Sequence, residues 1–161
     1  MKITFIQTGG TIDKDYPKTR SGWAFEIGEP AILRILEKIN PSFTYKIITA
    51  FKKDSLEINL LDRKHLLALI ENQPSTIFII THGTDTLIET GQFLEKNLNE
   101  KLVILTGALR PERFANSDAA LNIGIAIGAA NTLKKGVYIA MNGIIQMADL
   151  AKRDEKTDCF Y

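Results

Sequence analysis

Five short runs rich in Ile, Val and Phe, separated by four stretches of helical periodicity, predict an α/β fold. The fold is doubly wound, with a mainly parallel five-stranded sheet. Three observations carry this. Each run has the length of a single strand. Several are apolar at consecutive positions, the pattern of strands buried on both faces. And strand and helix alternate four times before the fifth strand.

The elements follow in order. Ile3–Gln7 is the first strand, and Pro30 opens a helix carrying Ile32, Ile35, Leu36 and Ile39 on one face. Tyr45–Phe51 is the second strand. Asp62 is the expected cap of the next helix, which carries Leu66, Leu67 and Ile70. Ile77–Thr81 is the third strand, followed by Leu87, Gly91, Leu94 and Leu98 at helical spacing. After the fourth strand, Leu102–Thr106, Ser117 or Asp118 caps a helix whose segment 124–130 is built largely from small residues. Such a face lets a helix lie close to the sheet or to a partner subunit. Val137–Asn142 closes the series. Residues 8–28 form the longest stretch without a period, and a loop of that length in a compact domain is usually functional or mobile.

At 161 residues the chain has room for about one domain, expected to span 1–161. Hydrophobic residues make up 45 % and charged residues 24 %, ordinary for a globular protein. Twenty basic residues against nineteen acidic ones leave a net charge of +1, so no field favours nucleic acid or a membrane surface as partner. The pairs Lys52-Lys53 and Lys134-Lys135 are short and isolated. A lone Cys159 cannot form an intrachain disulfide. The first residues reach polar positions too soon for a signal-peptide core. No run approaches the ~18 apolar residues of a membrane helix. Cytoplasmic residence is the simplest reading.

In such folds ligands bind beyond the carboxyl ends of the strands, where the strand order reverses. With the order 2-1-3-4-5, as in flavodoxin-like and Rossmann-like three-layer sandwiches, the loops after strands one and three lie side by side there. Those loops are the unusual ones: Thr8-Gly9-Gly10-Thr11 and Thr81-His82-Gly83-Thr84-Asp85-Thr86. Each gathers threonine hydroxyls around glycine, which lets the backbone turn sharply and approach a ligand closely. Plainer readings stand beside this one. The first loop can be a tight turn, and Thr84 and Asp85 can simply cap the next helix. Neither Gly-x-Gly-x-x-Gly nor Gly-x-x-x-x-Gly-Lys is present, which weakens dinucleotide and nucleoside-triphosphate readings. His82 reads as a packed or hydrogen-bonding histidine. His65 lacks the cysteine or carboxylate pattern of a metal site. No metal or other cofactor is expected.

Thr8-Gly-Gly-Thr11-Ile12 and His82-Gly-Thr84-Asp85-Thr86 resemble the two signature motifs of bacterial-type L-asparaginases. The resemblance continues through Thr106-Gly-Ala-Leu-Arg110-Pro111, Ser117-Asp118 and Met141-Asn142. It extends to Asp149-Leu-Ala-Lys152, similar to the family segment that ends in a catalytic lysine. It implies an amidohydrolase releasing ammonia from asparagine or a related small amide, with Thr11 as nucleophile and Thr84, Asp85 and Lys152 as a second hydroxyl–carboxylate–lysine group. A threonine hydroxyl needs a base or a cationic neighbour to lose its proton. Lys152 buried against Asp85 would relay one through Thr84. Ser55 matches the serine that holds the substrate carboxylate, although a plain turn serine is the alternative. Gly10 and Gly83 would lie against the substrate, and a backbone N–H or a water near Ala108 would stabilise the oxyanion. Arg110 would support its loop, and 116–118 would cap a helix.

Three departures bear on the substrate. The family's C-terminal domain is expected to be absent, and with it an acidic residue that a neighbouring subunit contributes toward the substrate amine. Leu56 stands where secreted-type members carry a glutamine that contacts the same amine. The mobile-loop tyrosine has two imperfect counterparts, Tyr16 and Trp23, of which only the first has a hydroxyl. The losses favour a centre that is slow on asparagine or that prefers an amide without a free α-amine. They also leave open a non-catalytic module that binds a small carboxylate, an amide or another chain. The family's assembly implies a homo-oligomer, a dimer at least.

Overall fold

The computed structural model describes residues 1–16 and 25–161. Its strands are β1 (Lys2–Gly9), β2 (Lys14–Asp15), β3 (Glu26–Ile27), β4 (Thr44–Lys53), β5 (Ile77–Thr81), β6 (Leu102–Thr106), β7 (Gly136–Met141) and β8 (Ile144–Met147). Its α-helices are α1 (Ala31–Ile39), α2 (Leu60–Glu71), α3 (Leu87–Asn97) and α4 (Ala119–Ala130). The main sheet runs β4-β1-β5-β6-β7-β8, while β2 and β3 pair as a separate two-stranded ribbon. The five strands expected from the sequence are present, parallel, and in the order 2-1-3-4-5.

The sheet has six strands rather than five. Asn142 (φ 52) and Gly143 (φ 88) both adopt left-handed backbone, the geometry of a tight Asn-Gly hairpin turn, and this turn returns the chain as antiparallel β8. That dipeptide was the available signal.

Burial on both faces explains the consecutive apolar positions. Along β1, Ile3 and Phe5 join one core with Ile32, Ile35 and Leu36 of α1 and Ile123 and Ala126 of α4. The intervening Ile6 joins the opposite core, with Leu66 and Ile70 of α2 and Leu87 and Leu94 of α3. The β5 and β6 side chains alternate in the same way, Ile79 and Ile104 facing one core, Phe78, Ile80, Val103 and Leu105 the other. Each such aliphatic side chain taken out of water contributes roughly 1.5–3 kcal/mol, which locks the strand order and the three layers together.

The helix ends refine the expectations. Pro30 precedes α1 but offers it no side-chain cap; the carboxylate of Asp13 accepts the Ala31 N–H instead, at 2.7 Å. Ile39 is largely exposed and leaves the apolar stripe. Asn59, not Asp62, caps α2. Asp62 is the third residue of that helix and reaches back to the Asn59 N–H, completing a capping box. At α4, Ser117 Oγ accepts from the Ala119 N–H, while Asp118 turns its carboxylate to the N–H groups of Leu109 and Arg110. Alanines, not glycines, make the close packing of α4: Ala119, Ala126 and Ala129 are buried, whereas a Cβ built on Gly124 or Gly128 would meet nothing.

Candidate active site

The strands deliver four loops to one end of the sheet. Gly10, in left-handed backbone (φ 82), lies directly against Gly83: a Cβ on Gly10 would overlap the backbone N and Cα of Gly83. Gly83 in turn lies against Ser55, where an added Cβ would fall 2.6 Å from Oγ. Gly107, after β6, abuts the His82 carbonyl. Only hydrogen at these positions permits such contact. The loops after β1, β4, β5 and β6 are therefore interlocked through their glycines, and the two threonine-rich motifs meet at the switch point.

Hydrogen bonds fix the floor. Thr8 Oγ1 donates to the Thr81 carbonyl at 2.8 Å, tying β1 to β5, and the His82 N–H donates to the Thr106 carbonyl at 2.9 Å, tying β5 to β6. His82 is fully buried with Nδ1 2.8 Å from the Gly83 carbonyl. Burial pushes its pKa down to about 4, which fits the packed neutral imidazole expected from the sequence.

Thr11 opens a 3₁₀ turn (Thr11–Asp13) and is partly exposed; Thr84 is nearly buried. Among the described residues neither hydroxyl has a hydrogen-bond partner. The plain capping alternative for Thr84 and Asp85 does not match the geometry. Thr86 is the N-cap of α3, without a side-chain cap bond, and its hydroxyl donates to the Ser55 carbonyl at 2.8 Å. Ser55 is buried and begins the 3₁₀ turn Ser55–Glu57, which Asp54 caps while paired to Lys14 at 3.1 Å. That pairing, a hydrogen bond from Lys14 first of all, holds the Asp54 carboxyl below its ordinary value. Ala108 is buried on the loop after β6.

One expectation is corrected. Lys152 is not buried against Asp85. It is exposed, on a groove it shares with Gln146, Met147, Leu150 and Tyr161. Asp85 is bound by the next residue, Arg153, whose Nη1 lies 2.9 Å from Oδ1. The neighbouring segment is paired through Lys152 and Tyr161, with N–H to carbonyl distances of 2.8 and 2.9 Å. Paired extended residues project alternately, so Lys152 and Arg153 cannot both face the site. Burial works against the Arg153 charge, yet hydrogen bonds to Asp85 and Asp158 outweigh it and raise its pKa.

Tyr16 is exposed and packs, with tilted rings 4.9 Å apart, on Phe25, which packs at 5.8 Å on Phe114. Trp23 lies outside the described residues. Asp13 and Arg153 went unnoticed in the sequence. Asp13 is fully buried and, besides capping α1, accepts from Thr81 Oγ1 at 3.5 Å. Burial raises its pKa to about 6. A carboxylate two positions after Thr11, next to the apolar Ile12, was the only hint. Among the described residues no group of three His, Cys, Asp or Glu side chains is placed to hold a metal ion. None of the helices is long and apolar enough to cross a membrane.

The chain has counterparts over nearly its whole length in known proteins. The family model described as Asparaginase, N-terminal, matches residues 2–160. The chain belongs to the asparaginase family. It is 32 % identical over 160 residues to a probable periplasmic L-asparaginase of Haemophilus influenzae, covering 93 % of this chain and 46 % of that one. It is 27 % identical over 154 residues to the glutaminase-asparaginase of Acinetobacter glutaminasificans, covering 89 % and 46 %. The thermostable L-asparaginase from Thermococcus kodakarensis superposes with a TM-score of 0.87 at 25 % identity, over 100 % of this chain and 51 % of its own. L-asparaginase I from Vibrio cholerae, at 21 % identity and a TM-score of 0.84 over 99 % of this chain and 50 % of its own, shares the fold. The chain thus spans about half the length of these relatives.

Proposed function

We propose that this asparaginase-family chain is an amidohydrolase that releases ammonia from a small amide, with Thr11 as its nucleophile. The observation that carries the reading is the contact between Gly10 and Gly83, which brings the Thr11 loop against the Thr84 loop, neither hydroxyl having a hydrogen-bond partner among the described residues. Thr11 Oγ attacks the amide carbon. Its proton leaves with the nitrogen as ammonia, and a water then hydrolyses the ester to a carboxylic acid and regenerates the hydroxyl. Thr84 and Asp85 supply the second hydroxyl and carboxylate. Ser55 and Gly83 hold the substrate carboxylate end. The N–H groups of Leu109 and Arg110 are committed to Asp118, and another backbone N–H or a water near Ala108 stabilises the oxyanion. A cytoplasmic location and assembly as a homodimer belong to the same proposal.

Ammonia release from asparagine, glutamine and amine-free amides tests this. Thr11→Val should lower kcat/KM at least a thousandfold, about 4 kcal/mol of transition-state stabilisation. An unchanged rate would remove Thr11 from the mechanism. The engagement of Asp85 by Arg153 and the outward Lys152 favour a second reading, a module that binds a small carboxylate without turning it over. Specific ligand binding with no ammonia from any amide would select it.

A further inference from the structure

We infer that Arg153 is a specificity-determining residue: it occupies, from within the chain, the place on Asp85 that a ligand ammonium would take, and so directs the cleft to ligands without a free α-amine. The inference rests on reading the Thr11–Thr84 cleft as the ligand site, but not on catalysis.

Consider the carboxylates on the four loops that meet through Gly10, Gly83 and Gly107. Asp13 is buried and binds the Ala31 N–H; Asp15 is paired with Arg113 at 2.8 Å. Asp54 is paired with Lys14, and Glu57 accepts the Asp54 N–H. Glu112 is held between Arg34 and Lys38, and Asp118 by the N–H groups of Leu109 and Arg110. Glu29 lies 3.9 Å from Lys52, and Glu26 is likewise engaged. That leaves Asp85, adjacent to Thr84, and Arg153 holds it. Every carboxylate on these loops already has a partner among the described residues.

Arg153 is built into this position. Its Nη2 lies 2.8 Å from Asp158, its guanidinium sits 5.7 Å from the centre of the Phe160 ring, and its backbone bridges Phe160. Phe160 is buried and donates its N–H to Asn142 Oδ1, which anchors the turn to the end of β7. The Nε is buried with no acceptor among the described residues, so leaving Asp85 would strip the guanidinium further. An ammonium arriving at Asp85 would have to displace this group or sit beside a like charge. A ligand carrying hydrogen or an uncharged substituent there meets neither obstacle.

Succinate and L-aspartate differ only in the α-amine, so their dissociation constants, measured by calorimetry on the full chain, test the inference. The chain should bind succinate at least tenfold more tightly than L-aspartate. Arg153→Gln, and Arg153→Leu in case the first variant does not fold, should move that ratio at least tenfold toward L-aspartate. Asp158→Asn should leave it within threefold. A preference for L-aspartate in the unaltered chain, an unmoved ratio in the folded Arg153 variant, or binding of neither ligand would overturn the inference. Ammonia release from succinamate and asparagine by the same samples separates the two readings. Turnover with an unmoved ratio defeats the role of Arg153 alone. A shifted ratio without turnover defeats the hydrolase alone.

Discussion

The carboxylate of Asp13 accepts the backbone N–H of Ala31 at 2.7 Å and caps α1 from eighteen residues upstream, two positions after Thr11. The Asp13 carbonyl also accepts the Gly28 N–H at 2.9 Å, and Gln7 Nε2 donates to the Gly28 carbonyl at 3.1 Å. One buried side chain thus holds the turn that presents Thr11 against the start of the first helix.

This arrangement predicts a pH-dependent stability. Burial raises the Asp13 pKa from 3.8 to about 6. Below the unfolded value both states hold the proton, and Asp13 imposes no penalty. As pH rises from about 4 to 6 the unfolded chain ionises first, so folding stability falls, by about 3 kcal/mol in all. Asp13→Asn keeps an acceptor for Ala31 and removes the titration. Urea unfolding at pH 4.5 and pH 7 should show the loss in the unaltered chain and a smaller one in the variant. Equal pH slopes would refute the assignment.

Contact between Gly10 and Gly83 predicts that Gly10→Ala is harmful for two independent reasons. The backbone at φ 82, ψ −176 lies in a region open essentially only to glycine and costs roughly 1–3 kcal/mol with a side chain. The new methyl overlaps Gly83, adding about 1–3 kcal/mol of overpacking. Chemical denaturation should show a loss of roughly 2–6 kcal/mol, and any ammonia release should fall with it. A variant as stable and as active as its parent would mean that the two loops do not touch.

Lys152 and Arg153 make a matched pair of tests because they are adjacent yet differently placed. Lys152 is exposed and, among the described residues, its ammonium has no hydrogen-bonded partner, so Lys152→Met should change stability by less than about 0.5 kcal/mol. With Lys152 facing the outer groove, turnover should stay within about twofold. Abolished turnover in a stably folded Lys152→Met would show that the ammonium reaches the cleft when substrate binds.

Much of this was legible in the residues. Pro30 and the stripe Ile32, Ile35, Leu36 announced α1 because helical side chains repeat every 3.6 residues, and the doubly apolar runs announced the order of buried strands. The threonine motifs could be placed at the switch point because a parallel sheet delivers every strand's carboxyl end to one side. The strand β8 was missed although Asn142-Gly143 marks its turn.

What the sequence by itself determined, then, was the fold, the family and the loops that meet. Those follow from periodicity, turn chemistry and local motif, all of which act over a few residues. Which charge faces Asp85 was decided only by the tertiary structure. Lys152 and Arg153 are one residue apart, and the register of the pairing between 152 and 161 selects between them. That register depends on Phe160 seating in the core and on Asn142 receiving its N–H, contacts between segments far apart in the chain that no local pattern records.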